Sequence, residues 1–280
     1  MKKYRLSSML LLVLISMFIL CSLCGFIFRA KEQSHFSHNP PKIIWWGVMS
    51  FEINVEDVIM HVDPFFRIHR RGDYILCSNQ YPDHSSVSTK ERILSISPNL
   101  KIILEPDNCK SSETLRPYTK NFVNGDVFED DNFYVKAFYG FVSTPKDLIF
   151  LIYSKKADIW ILHGGDATDC TYDSFREAFA EIKPKRIDYY LCTLGKISID
   201  YIKELVKEFE PKVLIPAHYP YYIIDITDDS SRVQFPEEGV PYLRPEYSVE
   251  EFMSILNKWI AQEEIDTTIT QVRPGEELYL

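Results

Sequence analysis

Apolar residues in the first half of the chain come in short runs bounded by polar or turn-forming residues, a pattern typical of β-strands. These runs predict strands at 42–46, 50–55, 57–63, 73–78, 101–105, 132–138, 147–153 and 157–163. Between the fourth and fifth of them, Ser88 can cap a helix that runs to Ser97, and Pro98 stops it. The first half is therefore predicted to be rich in β-structure.

The second half alternates between helical periodicity and strands. Serine caps at Ser174, Ser198 and Ser248 begin three predicted helices, and the last of these extends to about Gln262. Strands are predicted at 186–192, 212–218, 267–272 and 277–280. This order of elements predicts an α+β protein in which two sheets face each other with helices outside, a four-layer αββα sandwich.

The N-terminus differs in kind from the rest of the chain. Lysine and arginine residues flank an uncharged apolar stretch at 6–28. A helix of that length is about what is needed to cross a ~30 Å hydrocarbon core. We therefore predict a signal anchor with a transmembrane helix at 1–30, a polar linker at 31–41 and a single domain at 42–280, with membrane contact through the apolar stretch.

Two interpretations of this N-terminal stretch remain open. An uncleaved anchor keeps its basic flank in the cytoplasm and makes a single-pass membrane protein whose domain lies on the non-cytoplasmic side. A cleaved signal peptide would instead release a secreted domain, but its apolar region is usually only ~7 to 15 residues long. The longer run here, and the bulky residues Phe26, Ile27 and Phe28 where cleavage would occur, favour the anchor.

Composition indicates a large core and argues against a nucleic-acid partner. Of the 280 residues 46% are hydrophobic and 25% charged, and the formal net charge is -9. A duplex-binding surface needs clustered Lys and Arg to neutralise phosphates, so no nucleic acid is expected. The six cysteines show no spacing typical of a disulfide framework or a zinc knuckle.

Several segments, taken in order, resemble the metallo-β-lactamase superfamily, in particular its branch of lactonases and phospholipase-D-like hydrolases. They are WWGVMSFEI, VIMHVDPFF with its Asp63-Pro64, DYILCSNQYPDHSS, ILHGGDAT, KVLIPAHYP and VRPGEELYL. The third stands where the family has a strand followed by His-x-His-x-Asp-His. The resemblance covers about 42–280 and implies the four-layer sandwich, a hydrolase activity and two neighbouring metal ions.

The resemblance also implies that half of the metal ligands are missing. The residues that match one of the two metal sites are Asp83, His84, Asp166 and His218. The first two histidine positions of the other site are Asn79 and Tyr81 here, and His163 stands on the wrong strand to replace its third ligand. The four surviving residues offer two imidazoles and two carboxylates, a complete tetrahedral set for one zinc ion.

Two functions remain open at this stage. The surviving ligands favour a membrane-anchored hydrolase with one zinc ion, acting on an ester, lactone or phosphodiester, and the anchor suggests a small-molecule substrate of lipid-like character. The missing ligands favour a pseudoenzyme instead, a binding or scaffolding domain without metal. In that case the polar residues at the strand ends would only hold the backbone.

The sequence alone identifies no catalytic residue. The positions of four residues in the motifs that resemble the family suggest roles for them in a reaction. His218 or Asp83 would transfer protons, and Asn79 or Tyr81 would donate a hydrogen bond to a developing oxyanion.

Overall fold

The computed structural model of the chain describes residues 40–65, 67–68, 70–139, 147–166, 186–194, 198–218, 225–227, 230–232 and 249–280. The strands are β1 (Lys42–Gly47), β2 (Ser50–Val55), β3 (Val58–Val62), β4 (Arg67–Ile68), β5 (Tyr74–Leu76), β6 (Ile102–Glu105), β7 (Thr119–Asn121), β8 (Val127–Glu129), β9 (Phe133–Tyr139), β10 (Leu148–Ser154), β11 (Ile159–His163), β12 (Tyr189–Thr193), β13 (Val213–Ala217), β14 (Asp225–Thr227), β15 (Ser230–Arg232), β16 (Thr268–Ile269) and β17 (Glu277–Tyr279). The helices are α1 (Val87–Ile96), α2 (Ile199–Phe209) and α3 (Val249–Gln262), and a 3₁₀ turn spans Arg116–Tyr118.

Two mixed seven-stranded sheets form the body of the fold. The first has the order β17-β1-β2-β3-β5-β6-β7 and the second the order β16-β13-β12-β11-β10-β9-β8, while β15, β14 and β4 form a small third sheet. In the first sheet β3, β5, β6 and β7 run parallel, and in the second β11, β12, β13 and β16 do. Because parallel strands end at the same edge of a sheet, each sheet gathers several carboxyl-terminal ends at one place.

Alternating residues of the first sheet face opposite sides, as the strand period of two requires. On one side they join the second sheet in the main core, where the Tyr74 and Phe133 rings meet with centroids 5.1 Å apart. On the other side Ile44, Ile75 and Ile103 form a smaller cluster with Ile93 of α1. Helix α1 therefore covers the outer face of the first sheet.

Helices α2 and α3 belong to the main core together with the second sheet. Ser198 caps α2 as predicted, since its side chain accepts a hydrogen bond from the Tyr201 N–H. Helix α3 contacts both α2 and the short strand β16. The predicted α+β sandwich of facing sheets and helices is confirmed.

The cap of α1 was predicted at the wrong serine. Ser86, not Ser88, has extended backbone angles, and its side chain accepts a hydrogen bond from the Thr89 N–H, so the helix begins at Val87. Both candidates are serines, and only their backbone angles distinguish them. The predicted strands are present, β2 with the predicted bounds and the others with bounds shifted by a few residues. The short strands β4, β7, β8, β14 and β15 were missed, because none of them contains more than two consecutive apolar residues.

The predicted signal anchor at 1–30 and the helix expected after Ser174 lie outside the described residues, as does the linker up to residue 39. Among the helices that the structure does describe, none has the length and apolar character needed to cross a membrane. The transmembrane helix stays a prediction.

A buried ion pair joins α1 to the first sheet. Lys90 and Glu105 have side chains that are 0% and 1% exposed, and they form a charge-assisted hydrogen bond. The Lys90 ammonium also donates to the Ser85 hydroxyl at 3.0 Å and to the Lys110 carbonyl at 3.1 Å. The helix, the end of β6 and the turn that precedes α1 are therefore held by one side chain.

We expect Lys90→Met to lower the free energy of unfolding by about 3 to 5 kcal/mol, because it leaves the Glu105 carboxylate buried without its partner. Urea unfolding followed by circular dichroism measures the change. The double variant Lys90→Met/Glu105→Leu removes both charges and should recover most of the loss. A single variant as stable as the unchanged chain would contradict this role for the ion pair.

Candidate metal centre

Residues that follow four strands meet between the two sheets. Asp63 follows β3, the turn 77–86 follows β5, Asp166 lies three residues after β11, and His218 directly follows β13. Each of these strands belongs to the parallel part of its sheet. Parallel strand ends are where open α/β sheets commonly place their ligands.

Two buried imidazoles converge on one carboxylate oxygen. Asp166 Oδ1 lies 3.2 Å from His84 Nε2 and 3.0 Å from His218 Nε2, and the two rings stack with centroids 5.6 Å apart. Despite these distances, neither Nε2 atom makes a well-oriented hydrogen bond in the described part of the chain. Buried nitrogens normally find a partner, so a shared cation between them fits this arrangement.

Asp83 completes the cluster from the solvent side. Its Oδ2 lies 3.6 Å from His84 Nε2 and 3.9 Å from His218 Nε2, and its side chain is 34% exposed. Asp83, His84 and His218 each offer a ligand atom within 4.8 Å of the others. The structure thus brings the four residues proposed from the sequence into one site, with Asp83 at its open edge.

The backbone has unusual φ angles at or next to several residues of the centre. His218 and Asp63 have φ values of 61° and 47°, in the left-handed region that residues other than glycine seldom adopt. Gly165 has φ 52°, and a Cβ there would lie 2.6 Å from the Leu148 carbonyl oxygen, so the residue before Asp166 has to be glycine. Such strained positions are common at functional sites.

Asp63 orients His84 and was not identified as a functional residue from the sequence. Its Oδ2 lies 2.8 Å from His84 Nδ1, and its two oxygens accept hydrogen bonds from the Ser78 hydroxyl and N–H at 2.7 and 2.6 Å. With Nδ1 engaged in this way, Nε2 is left to face Asp166. Metal-binding histidines commonly give their second ring nitrogen to a carboxylate.

His163 lies beside this network but not among the ligands. Its Nε2 is 3.2 Å from the Met49 carbonyl oxygen and 3.5 Å from Asp63 Oδ2, and its Nδ1 accepts from the Gly165 N–H at 3.3 Å. Burial lowers the pKa of His163, although the Asp63 charge opposes this. A neutral imidazole that holds the loop before Asp166 is consistent with these contacts.

The charges of the centre favour a cation. Burial by itself lowers the pKa of His84, but the carboxylates of Asp166 and Asp63 outweigh it and hold that pKa well above its usual range. Burial alone raises the pKa of Asp166, but His84 and His218 outweigh it and hold that pKa well below its usual range. Positive charge beside these carboxylates is therefore stabilised, whether a proton on His84 or a metal ion supplies it.

No protein-family model matches the chain, and no curated protein matches it by sequence. Solved structures do match. A metallo hydrolase from the hyperthermophilic archaeon Ignicoccus hospitalis KIN4/I is 13% identical with a TM-score of 0.60, over 86% of this chain and 98% of that one. The metallo-β-lactamase fold protein YhfI from Bacillus subtilis is 10% identical with a TM-score of 0.55, over 86% of this chain and 100% of that one. CmlA, a diiron β-hydroxylase from Streptomyces venezuelae, is 10% identical with a TM-score of 0.62, over 86% of this chain and 54% of that one.

The chain has the metallo-β-lactamase fold. Identities this low show the fold alone, and the matched structures carry different chemistries by their own descriptions, a hydrolase and a hydroxylase. The function of this chain therefore depends on the residues of its metal centre and not on the metallo-β-lactamase fold alone. The predicted lactonase and phospholipase-D-like branch stays a prediction.

Asn79 and Tyr81 stand where the sequence resemblance to metallo-β-lactamases puts two further histidines. Asn79 is fully buried, and its Nδ2 donates to Asp166 Oδ2 at 3.3 Å. Tyr81 is 49% exposed and contributes its backbone N–H, which donates to Asn79 Oδ1 at 2.9 Å. Only Asn79 thus brings its side chain to the carboxylate of the centre.

We expect Asp63→Asn to weaken zinc binding by about 10- to 100-fold, because the neutral amide holds the His84 ring less firmly than the carboxylate does. Calorimetric titration of the metal-free chain with zinc measures the affinity. Asp130→Asn is the matched control, since Asp130 bonds to Tyr74 and to the backbone of residues 132–133, outside the centre. Equal zinc affinity in Asp63→Asn and the unchanged chain would show that Asp63 does not position the ligand.

Proposed function

We propose that the chain is a metal-dependent hydrolase with one zinc ion, held by Asp83, His84, Asp166 and His218. The observation that carries this proposal is the convergence of two buried Nε2 atoms, both without a well-oriented hydrogen bond in the described part of the chain, on a single oxygen of Asp166 at 3.2 and 3.0 Å. Imidazole and carboxylate are ligands that zinc takes in proteins. The fold supports the proposal, because metallo hydrolases are among the solved structures that share it.

When bound, zinc supplies Lewis-acid chemistry and lowers the pKa of a coordinated water to about 7. His84 cannot serve as the base, because its two ring nitrogens face Asp63 and Asp166. Asp83 is the better candidate, since its Oδ2 lies further from both imidazoles than Asp166 Oδ1 does and its side chain reaches solvent. A movement of Asp83 would also open a position in an otherwise closed set of four ligands, which catalysis requires.

The substrate proposed is an ester, lactone or phosphodiester, a class that rests on the sequence resemblance. We also propose that residues 6–28 anchor the protein in a membrane with the domain on its non-cytoplasmic side, which would favour lipid-like substrates. The length of the apolar run supports the anchor. Detection of the full-length chain in the soluble fraction, after cell lysis without detergent, would contradict it.

We expect elemental analysis of the full-length chain, purified without chelator, to find about one zinc ion per chain, the number that its four ligands can hold. The variant Asp166→Ala/His218→Ala should lose the ion, because it removes one imidazole and the oxygen on which both imidazoles converge. Hydrolysis of ester and phosphodiester substrates should be lost with it. A folded, metal-free wild-type chain without hydrolysis would favour the pseudoenzyme, a binding or scaffolding domain.

The variant Asp83→Asn separates metal binding from chemistry. It should keep most of the bound zinc, since Asp83 lies at the edge of the centre, while the hydrolysis rate falls by about 10²- to 10⁴-fold if the carboxylate transfers the proton. An unchanged rate would remove Asp83 from that role and leave the metal centre itself unaffected.

A further inference from the structure

The amide of Asn79 is held in one orientation inside the centre. The Tyr81 N–H donates to Asn79 Oδ1 at 2.9 Å, so the oxygen of the amide faces the turn and its nitrogen faces Asp166. The backbone carbonyl of Asn79 accepts a further bond from the Cys109 thiol at 3.2 Å. The Tyr81 bond thus orients the buried amide, while the Cys109 bond holds the backbone of the same residue.

Asp166 uses its two oxygens for different partners. Oδ1 faces the Nε2 atoms of His84 and His218, whereas Oδ2 accepts the Asn79 amide at 3.3 Å. An amide nitrogen donates hydrogen bonds and offers no lone pair to a cation. Any cation placed beside Oδ2 would therefore meet the positive end of this N–H dipole.

We propose that Asn79 sets the number of metal ions in the centre at one, because its amide donor occupies Asp166 Oδ2, the oxygen of this carboxylate that does not face the two imidazoles. The inference rests on the proposed metal centre and adds a specific role for Asn79. The amide also turns Oδ1 toward the imidazoles, which places it for the first ion. Asn79 is thus a positioning residue with two effects: it orients Asp166 for the first ion and disfavours the binding of a second ion.

Replacing Asn79 by aspartate tests this role with a side chain of the same shape. The substituted carboxylate could still accept the Tyr81 N–H through one oxygen, but its other oxygen would face Asp166 Oδ2 across the gap that the amide now bridges. Two carboxylates this close disfavour joint ionisation unless a cation lies between them. Oxygen ligands of this kind suit a hard cation such as Mn²⁺.

The experiment compares the full-length chain with Asn79→Asp, both loaded with zinc and then titrated with Mn²⁺ by calorimetry and elemental analysis. We expect the unchanged chain to hold one zinc ion and no Mn²⁺, and Asn79→Asp to take up about one Mn²⁺ in addition, bound between the two facing carboxylates. Asn132→Asp is the matched control, because Asn132 is also buried but bonds to Tyr74 outside the centre. It should take up no Mn²⁺.

A second measurement decides the question even if Asn79→Asp fails to fold. Mn²⁺ added in excess to the metal-free wild-type chain should give the electron paramagnetic resonance spectrum of an isolated ion. A spectrum of two exchange-coupled ions would overturn the role of Asn79.

The outcomes also separate this role from the proposed function. One ion in both the unchanged chain and Asn79→Asp would overturn the role of Asn79 and leave the metal centre standing. No ion in the unchanged chain but one in Asn79→Asp would overturn the proposed function and also the role of Asn79, because the unchanged chain would then hold none rather than one. No ion in either folded chain would overturn both.

Discussion

A buried carboxylate, that of Asp63, ties together the strand ends on which the centre depends. A charge removed from water is costly unless hydrogen bonds and opposite charge replace the solvent. The Asp63 carboxylate accepts hydrogen bonds from the Ser78 hydroxyl and N–H, and it lies beside the rings of His84 and His163. Asp63, Ser78 and His163 lie at the ends of β3, β5 and β11, so the contacts of one carboxylate link strand ends of both sheets.

The same cost of burying charge explains the arrangement of His84 and Asp166 in the metal centre. His84 lies between two carboxylates, Asp63 behind it and Asp166 in front, and each of them favours positive charge there. Asp166 in turn has one oxygen toward two imidazoles and the other toward the neutral Asn79 amide. The asymmetry between these two oxygens distinguishes a site suited to one cation from a site suited to two.

A common fold therefore does not decide the chemistry of this protein. The metallo hydrolase and the diiron β-hydroxylase matched to this chain are both similar to it in fold. What the fold supplies is a place where parallel strand ends from two sheets meet. What a protein does at that place depends on which side chains the strand ends carry, and here the Asn79 amide and the Tyr81 backbone stand where the sequence resemblance puts two histidines.

The sequence by itself determined most of the strands, because an apolar run bounded by polar or turn-forming residues is a local property of the chain. It also identified the four residues proposed as zinc ligands, since the segments that contain them resemble those of the metallo-β-lactamase superfamily in the same order. Only the tertiary structure decided the partners of Asp63 and Asn79, because His163 and Asp166 lie far from them along the chain and no local periodicity records such pairs. These pairs form only when the two sheets pack against each other, because polar groups that become buried there need hydrogen-bond or charged partners.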